Sequence, residues 1–147
     1  MGVGSNYVLS KAFLATGATA YLTGEIGKII AGSGSFTSTL NSVQRNTTAT
    51  VLTTADTLLV VFMEDLDTVR LATGKAFIGC ALQGIVRVKC GATVTAGKYV
   101  TNDATARAVN VTKAAGGAQS VPVLGYALTG NTVGLDVDVL LTPGASI

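Results

Sequence analysis

Short apolar runs, each separated from the next by a glycine, fill the second half of the chain. In the stretch that begins at Gly84, Val86, Val88 and Cys90 alternate with Arg87 and Lys89. Side chains two apart on a strand lie on the same face, so this alternation predicts a half-buried β-strand. The last run repeats the pattern: its apolar positions are Leu135, Val137, Val139 and Leu141, and its polar positions are Asp136 and Asp138.

The rest of the chain favours the same class of structure. Threonine, valine, alanine and glycine dominate, and 18 glycines but only 2 prolines punctuate the runs. β-Branched residues suit a pleated surface, and scattered glycines suit the turns between strands. We therefore predict a mainly all-β fold, a small antiparallel β-barrel or sandwich. Its further strands are expected at residues 20–31 around a turn at Gly24, and at 50–54, 58–63, 76–82, 98–101, 107–111 and 121–128.

Two regions leave alternatives open. Residues 1–20 form either an extended N-terminal arm or the first strand, and residues 21–147 form a single β-rich domain with a polar loop excursion at 31–50. Asp67 either caps a short helix that runs through Ala72 and stops at Gly74, or the same residues form another strand.

Five glycines are interpreted as structural positions at which strands turn or bend: Gly84, Gly91, Gly97, Gly125 and Gly134. Glycine allows the positive φ angles and close approaches that such corners require. A phosphate-binding role is not favoured. The nearest match to a P-loop, Gly27-Lys28, has Leu22 in place of the first glycine and Ile29 after the lysine.

The residue types needed for catalysis are sparse. The chain has no histidine, which removes the commonest general base. Glu64, Asp65 and Asp67 lack the spacing of a calcium loop and are interpreted as a solvated turn. Asp136 and Asp138 share one strand face, where Arg87 and Lys89 are natural cross-strand or inter-subunit partners. We expect no enzymatic activity, no cofactor, no metal and no small-molecule substrate.

Charge and hydropathy limit the classes of partner that the chain is expected to bind. The net charge is +2 without a basic cluster, so nucleic acid is not an expected partner. The most apolar run, residues 58–63, is far shorter than a membrane-spanning helix, and no secretion signal begins the chain. Cys80 and Cys90 are therefore interpreted as small buried side chains rather than a disulfide. With 48% apolar and only 12% charged residues, the surface suits a protein that is covered by other subunits.

Part of the sequence resembles a known family. GKYVTND at Gly97–Asp103, RAV at Arg107–Val109, LGYAL at Leu124–Leu128 and GLDVDVLL at Gly134–Leu141 are similar to the capsid cement or head-decoration proteins of tailed bacteriophages. The opening Asn6-Tyr7-Val8 is similar too. The resemblance implies a structural virion protein on the outer capsid surface, made in the host cytoplasm, that bridges neighbouring major capsid subunits as a homotrimer.

Within that reading, an N-terminal arm is expected to add a strand to a neighbour's sheet. The expected contact residues are Asn6, Tyr7, Leu9 and Phe13, and the alternative is that they form the first strand of the barrel. Two other functions stay open: another virion structural component, such as a fibre or tail part, and a small ligand-binding β-domain.

Overall fold

A computed structural model describes residues 8–30, 42–47, 58–112 and 121–142. In these residues the regular structure is β-strand apart from one short helix, so the prediction of a mainly all-β fold is confirmed. The elements are β1 (Leu9–Ala15), β2 (Ile26–Ile30), β3 (Ser42–Arg45), β4 (Leu59–Phe62), α1 (Thr68–Ala72), β5 (Phe77–Lys89), β6 (Tyr99–Asn102), β7 (Ala108–Asn110), β8 (Gly125–Ala127) and β9 (Asp136–Leu141).

The first half of the fold is a closed five-stranded barrel. Its strands follow the order β1-β3-β2-β4-β5, and β1 pairs again with β5 to close the circle. Only the β1–β3 pair among these strands is parallel. Closure removes the exposed strand edges that an open sheet would present.

The second half is a curled sheet that grows from the same strand β5. Its order is β5-β9-β8-β6-β7, with all neighbours antiparallel. Cys90, directly after β5, bridges Ala108 in β7, which brings the far edge of the sheet back to its start. The second sheet therefore also folds round on itself.

Strand β5 belongs to both halves because it is thirteen residues long and unbroken. Its first part pairs with β1 and β4, and its last part pairs with β9. Two separate strands, at 76–82 and after Gly84, were expected here, and that expectation is wrong. Gly84 lies within β5 at φ +108°, where it bends the strand without ending it.

Strand β4 is buried on both faces, which explains its continuous apolar sequence. Val60 and Phe62 point into the barrel, where they join a cluster that includes Val43 and Ile78. The alternate residues of β4 point out of the barrel and pack against the second sheet. That larger core comprises Ile26, Leu59, Val61, Ala81, Val88, Cys90, Val94, Val100, Ala108, Leu124, Ala127, Val137, Val139 and Leu141.

Both cysteines are buried and unpaired, as expected from the sequence. Cys80 lies in the barrel core and Cys90 in the core between the halves. Burial raises the pKa of the Cys80 thiol to about 12 and also raises the pKa of Cys90. Both side chains therefore act as small apolar groups in the folded protein.

Polar groups also join the two halves. Glu25 is buried and accepts two hydrogen bonds from Arg45, at 2.8 and 2.9 Å. Arg45 also donates to the carbonyl of Thr105 in the second half, at 3.0 Å. Beside it, the buried side-chain amide of Asn46 donates to Oδ1 of Asn102, and the side-chain amide of Asn102 donates to the backbone carbonyl of Asn46, both at 2.8 Å. We refer to these five residues as the polar seam.

Of the two alternatives for residues 67–74, the structure shows the short helix and not a strand. Asp67 is the N-cap, and its carboxylate accepts a hydrogen bond from the backbone N–H of Arg70 at 2.7 Å. Gly74, at φ +67°, lies just after the helix, as its predicted stop. Cap and stop together account for a helix of a little over one turn.

Other predicted boundaries differ from the structure. The loop excursion at 31–50 contains strand β3, so a loop throughout is wrong; residues 31–41 and 48–50 lie outside the described part, as does the strand predicted at 50–54. The first of the two strands predicted at 20–31 is only an isolated bridge between Tyr21 and Leu66. Within residues 1–20, the described part forms strand β1 of the barrel.

β8 and β9 pack closely at Gly125, and a substitution at this position tests that packing. A Cβ at this position would collide with the backbone carbonyl of Leu140, which cannot move without disturbing the sheet. We predict that Gly125→Ala lowers the free energy of unfolding by about 1–3 kcal/mol, as overpacking does. Chemical denaturation measures the change. The control is Gly79→Ala in β5, where the new methyl would meet only Glu64 at 3.6 Å; equal losses in the two variants would contradict the packing argument.

The polar seam gives a second prediction. Arg45→Met leaves the carboxylate of Glu25 buried without its cation, and such losses typically cost about 3–5 kcal/mol. Arg70→Met replaces an exposed arginine of α1 and should change stability little, because substitutions of exposed side chains rarely do. Denaturation midpoints of the two variants measure the contrast. If Arg45→Met were as stable as Arg70→Met, the seam would not hold the halves together.

Candidate interaction surface

The residues predicted to form an N-terminal contact arm are divided by the structure. Phe13 is only 5% exposed and packs in the barrel core, so its assignment as a contact residue is wrong. Leu9 is 57% exposed, at the start of β1. Asn6 and Tyr7 lie outside the described residues. Of the four, Leu9 alone is placed by the structure where another molecule can reach it.

The remaining predicted glycines occupy corners or tight contacts. Gly97 and Gly134, both at φ +82°, lie in the turns that lead into β6 and β9. Gly91 follows β5 in a bend, where a side chain would collide with the carboxylate of Asp103. Gly125 begins β8. These placements give each of them a backbone role.

The carboxylates of the acidic cluster after β4 accept hydrogen bonds from backbone N–H groups of neighbouring segments. Glu64 accepts from the N–H of Gly79 at 2.8 Å, and Asp65 accepts from the N–H of Thr23 at 2.7 Å. The hydrogen bond from the Thr23 backbone lowers the pKa of Asp65. Within the described ranges, no three potential metal ligands come together. The cluster therefore joins neighbouring segments of chain.

Asp136 and Asp138 form the cross-strand pairs expected from the sequence. Arg87 lies opposite Asp138 and Lys89 lies opposite Asp136 in the register of β5 and β9. Their charged atoms are 3.7 and 3.9 Å apart on the outer face of the sheet. Within this face, the two cations are on β5 and the two anions are on β9. We call these four residues the charged strip.

Directly beside the charged strip, large apolar side chains line up on the same outer face. Strand register places Ile85 of β5 opposite Leu140 of β9, Leu140 opposite Tyr126 of β8, and Tyr126 opposite Tyr99 of β6. Leu140, Tyr126 and Tyr99 are 41%, 37% and 47% exposed, and Ile85 is half-buried. We call these four residues the apolar row. It crosses four adjacent strands.

The tyrosines give one end of the apolar row a fixed shape. The rings of Tyr99 and Tyr126 meet edge to face, with centroids 5.6 Å apart and planes at 76°. This is a favourable geometry for an aromatic pair. The inner neighbours of these residues, Val100 and Ala127, are fully buried and hold both strands against the core. The row is thus a rigid feature on a sheet and not a set of loop side chains.

At its other end, the apolar row opens into a shallow depression of about 540 Å³. Val8, Leu9, Gln83, Gly84, Leu140 and Leu141 line it. Leu9 pairs with Gln83, and Leu141 pairs with the next residue, Gly84, so the start of β1 and the end of β9 lie at adjacent positions along β5. Leu9 therefore extends the exposed apolar surface that begins at Tyr99.

The apolar row was not among the features predicted from the sequence. The alternation in the last run places Asp136 and Asp138 outward, and Leu140 continues that outward series. A large apolar residue at an outward-facing strand position indicates an exposed apolar surface, and the sequence pattern of β9 contains this signal. Tyr126 gives the same signal, since it lies between two small residues that face the core.

In the part of the chain that the structure covers, no helix is both long and apolar enough to cross a membrane. Neither a protein-family model nor a curated protein matches this chain.

Among solved structures, this chain is similar to the N base of head fibre gp8.5 of bacteriophage phi29. The TM-score is 0.56 at 15% identity, over 92% of this chain and 95% of the other. At this identity, the likeness shows a shared fold.

Proposed function

We propose that this chain is a structural protein of a bacteriophage virion and is attached to the outside of the head. The observation that carries the proposal is the fold shared with the base of a phage head fibre over nearly the full length of both chains. The resemblance of residues 97–141 to capsid cement proteins leads independently to the same setting. The role is structural and not catalytic.

Two finer functions fit this setting, and the fold neighbour favours the first. In the first, the chain is the base through which a head fibre is held on the shell. The solved neighbour is described as the N base of a head fibre, and this chain shares its fold. A base needs a rigid body that binds the shell on one side and supports other protein on another.

In the second, the chain is a capsid cement protein, a function supported by the sequence resemblance. A homotrimer on the outer surface would contact several major capsid subunits at once. Multivalent attachment turns individually weak contacts into stable binding, because the second contact forms at a high effective concentration. Neighbouring capsid subunits would then be tied together against internal pressure.

The surface chemistry supports attachment to other proteins. Only 12% of the residues are charged, about half the usual share. The apolar row exposes large apolar side chains on a rigid sheet, and Leu9 lines the same depression as Leu140 of the row. Soluble monomers rarely keep large apolar patches exposed unless a partner covers them.

We predict that the purified chain binds expanded, undecorated heads of its own phage saturably and at fixed sites. The measurement is co-sedimentation over a concentration series, followed by imaging of the saturated particles. The control is the same heads already carrying the protein, which should bind no more. Failure to bind heads, together with turnover of a small molecule, would contradict the proposal.

Stability of the head separates the two finer functions. A cement protein should raise the temperature at which heads open, because it links neighbouring subunits. A fibre base should bind at its sites and leave that temperature unchanged. Calorimetry of bare and saturated heads makes the comparison, with bound copies per head determined on the same sample.

A further inference from the structure

We propose that the apolar row, together with the charged strip beside it, is the surface through which copies of this chain bind one another. In this contact, the β5 side of one copy faces the β9 side of the next. The inference deepens the proposed function, since it rests on the assembly of several copies on the head. It assigns a role to side chains that the fold itself leaves exposed.

The distribution of charge selects a second copy as the occupant. Arg87 and Lys89 lie on β5, and Asp136 and Asp138 lie on β9, so one column of the face is cationic and the next is anionic. When the β5 side of one copy faces the β9 side of another, cations meet anions. The same orientation brings Ile85 of one copy towards Leu140 of the other. The face is therefore complementary to itself.

A strongly charged partner fits this face less well. The strip carries two cations and two anions, so it has no net charge to attract a polyanion or a polycation. Within each copy the pairs are loose, at 3.7 and 3.9 Å, and exposed pairs of this kind contribute little to stability. Their side chains can therefore turn to a neighbouring copy at small cost.

When the β5 side of one copy contacts the β9 side of the next, repetition of that contact can form a closed ring. When unlike surfaces of identical subunits meet, repetition of the contact generates a ring if the rotation closes. Three such contacts would place the apolar rows of three copies around one axis. Leu9 lies at the end of the row, so it would lie close to the same contact.

The first test is the mass of the assembly in solution. Light scattering and sedimentation should show the wild-type chain as a trimer, and Leu140→Glu should reduce the mass to about a third. Val69→Glu, a charge at a position of α1 that is 76% exposed, should leave the trimer intact. Circular dichroism and the melting temperature establish that each variant is folded, and Tyr99→Glu replaces Leu140→Glu if that variant does not fold.

The second test reverses the charged strip. The variant Arg87→Asp, Lys89→Asp, Asp136→Lys, Asp138→Lys keeps opposite charges across β5 and β9 within one copy. It should still form trimers with itself. Co-expressed with differently tagged wild type, it should form few mixed trimers, because like charges would meet at each mixed contact. Native mass spectrometry counts the mixed species.

The outcomes are decisive for the inference. A wild-type chain that stays monomeric at high concentration overturns it, as do trimers that survive both Leu140→Glu and Tyr99→Glu, or mixed trimers at their statistical share. Binding to heads reports separately on the proposed function. A monomer that binds heads keeps that function and removes this inference, and row variants that remain trimeric but lose binding to heads assign the row to the shell instead.

Discussion

The fold depends on one strand that serves two sheets. β5 closes the barrel with its first part and starts the second sheet with its last part, and Gly84 lets it bend between them. Because the strand is continuous, the two halves are held in a fixed relation without a linker. The core between them and the polar seam of Glu25, Arg45, Asn46, Asn102 and Thr105 then fill the joint.

Because the sheet is rigid, the side chains on its outer face have fixed positions. β5, β9, β8 and β6 hold their inner side chains in the core, and strand register alone then aligns Ile85, Leu140, Tyr126 and Tyr99 on the outside. A surface built this way loses little conformational entropy when a partner covers it, since the backbone is already fixed. That property suits a protein whose role is to be one part of a larger shell.

Sequence reasoning succeeded where the pattern is local. Alternation located β9 and the second part of β5, and Asp67 and Gly74 marked the helix. It failed where pairing between strands distant in sequence determines where a strand ends and which side chains are buried. Gly84 was taken as a strand end, although β5 continues through it: β1 pairs with β5 up to Gln83, and β9 pairs with β5 from Gly84 onward. Leu9 and Phe13 share a parity, but Leu9 lies exposed at the start of β1, where the register with β5 is irregular, and Phe13 lies further along the strand in the barrel core. Strand β3, with the sequence SVQR, buries only Val43 and carries no local signal.

We propose that the exposed apolar face of this rigid fold is covered by other copies on a phage head. Electron cryomicroscopy of saturated heads, at a resolution that shows side chains, tests this most directly. We predict that Leu140 and Tyr126 of one copy lie in contact with the β5 side of a neighbouring copy. Density that shows these side chains facing solvent, on a chain bound to the head through another surface, would contradict it.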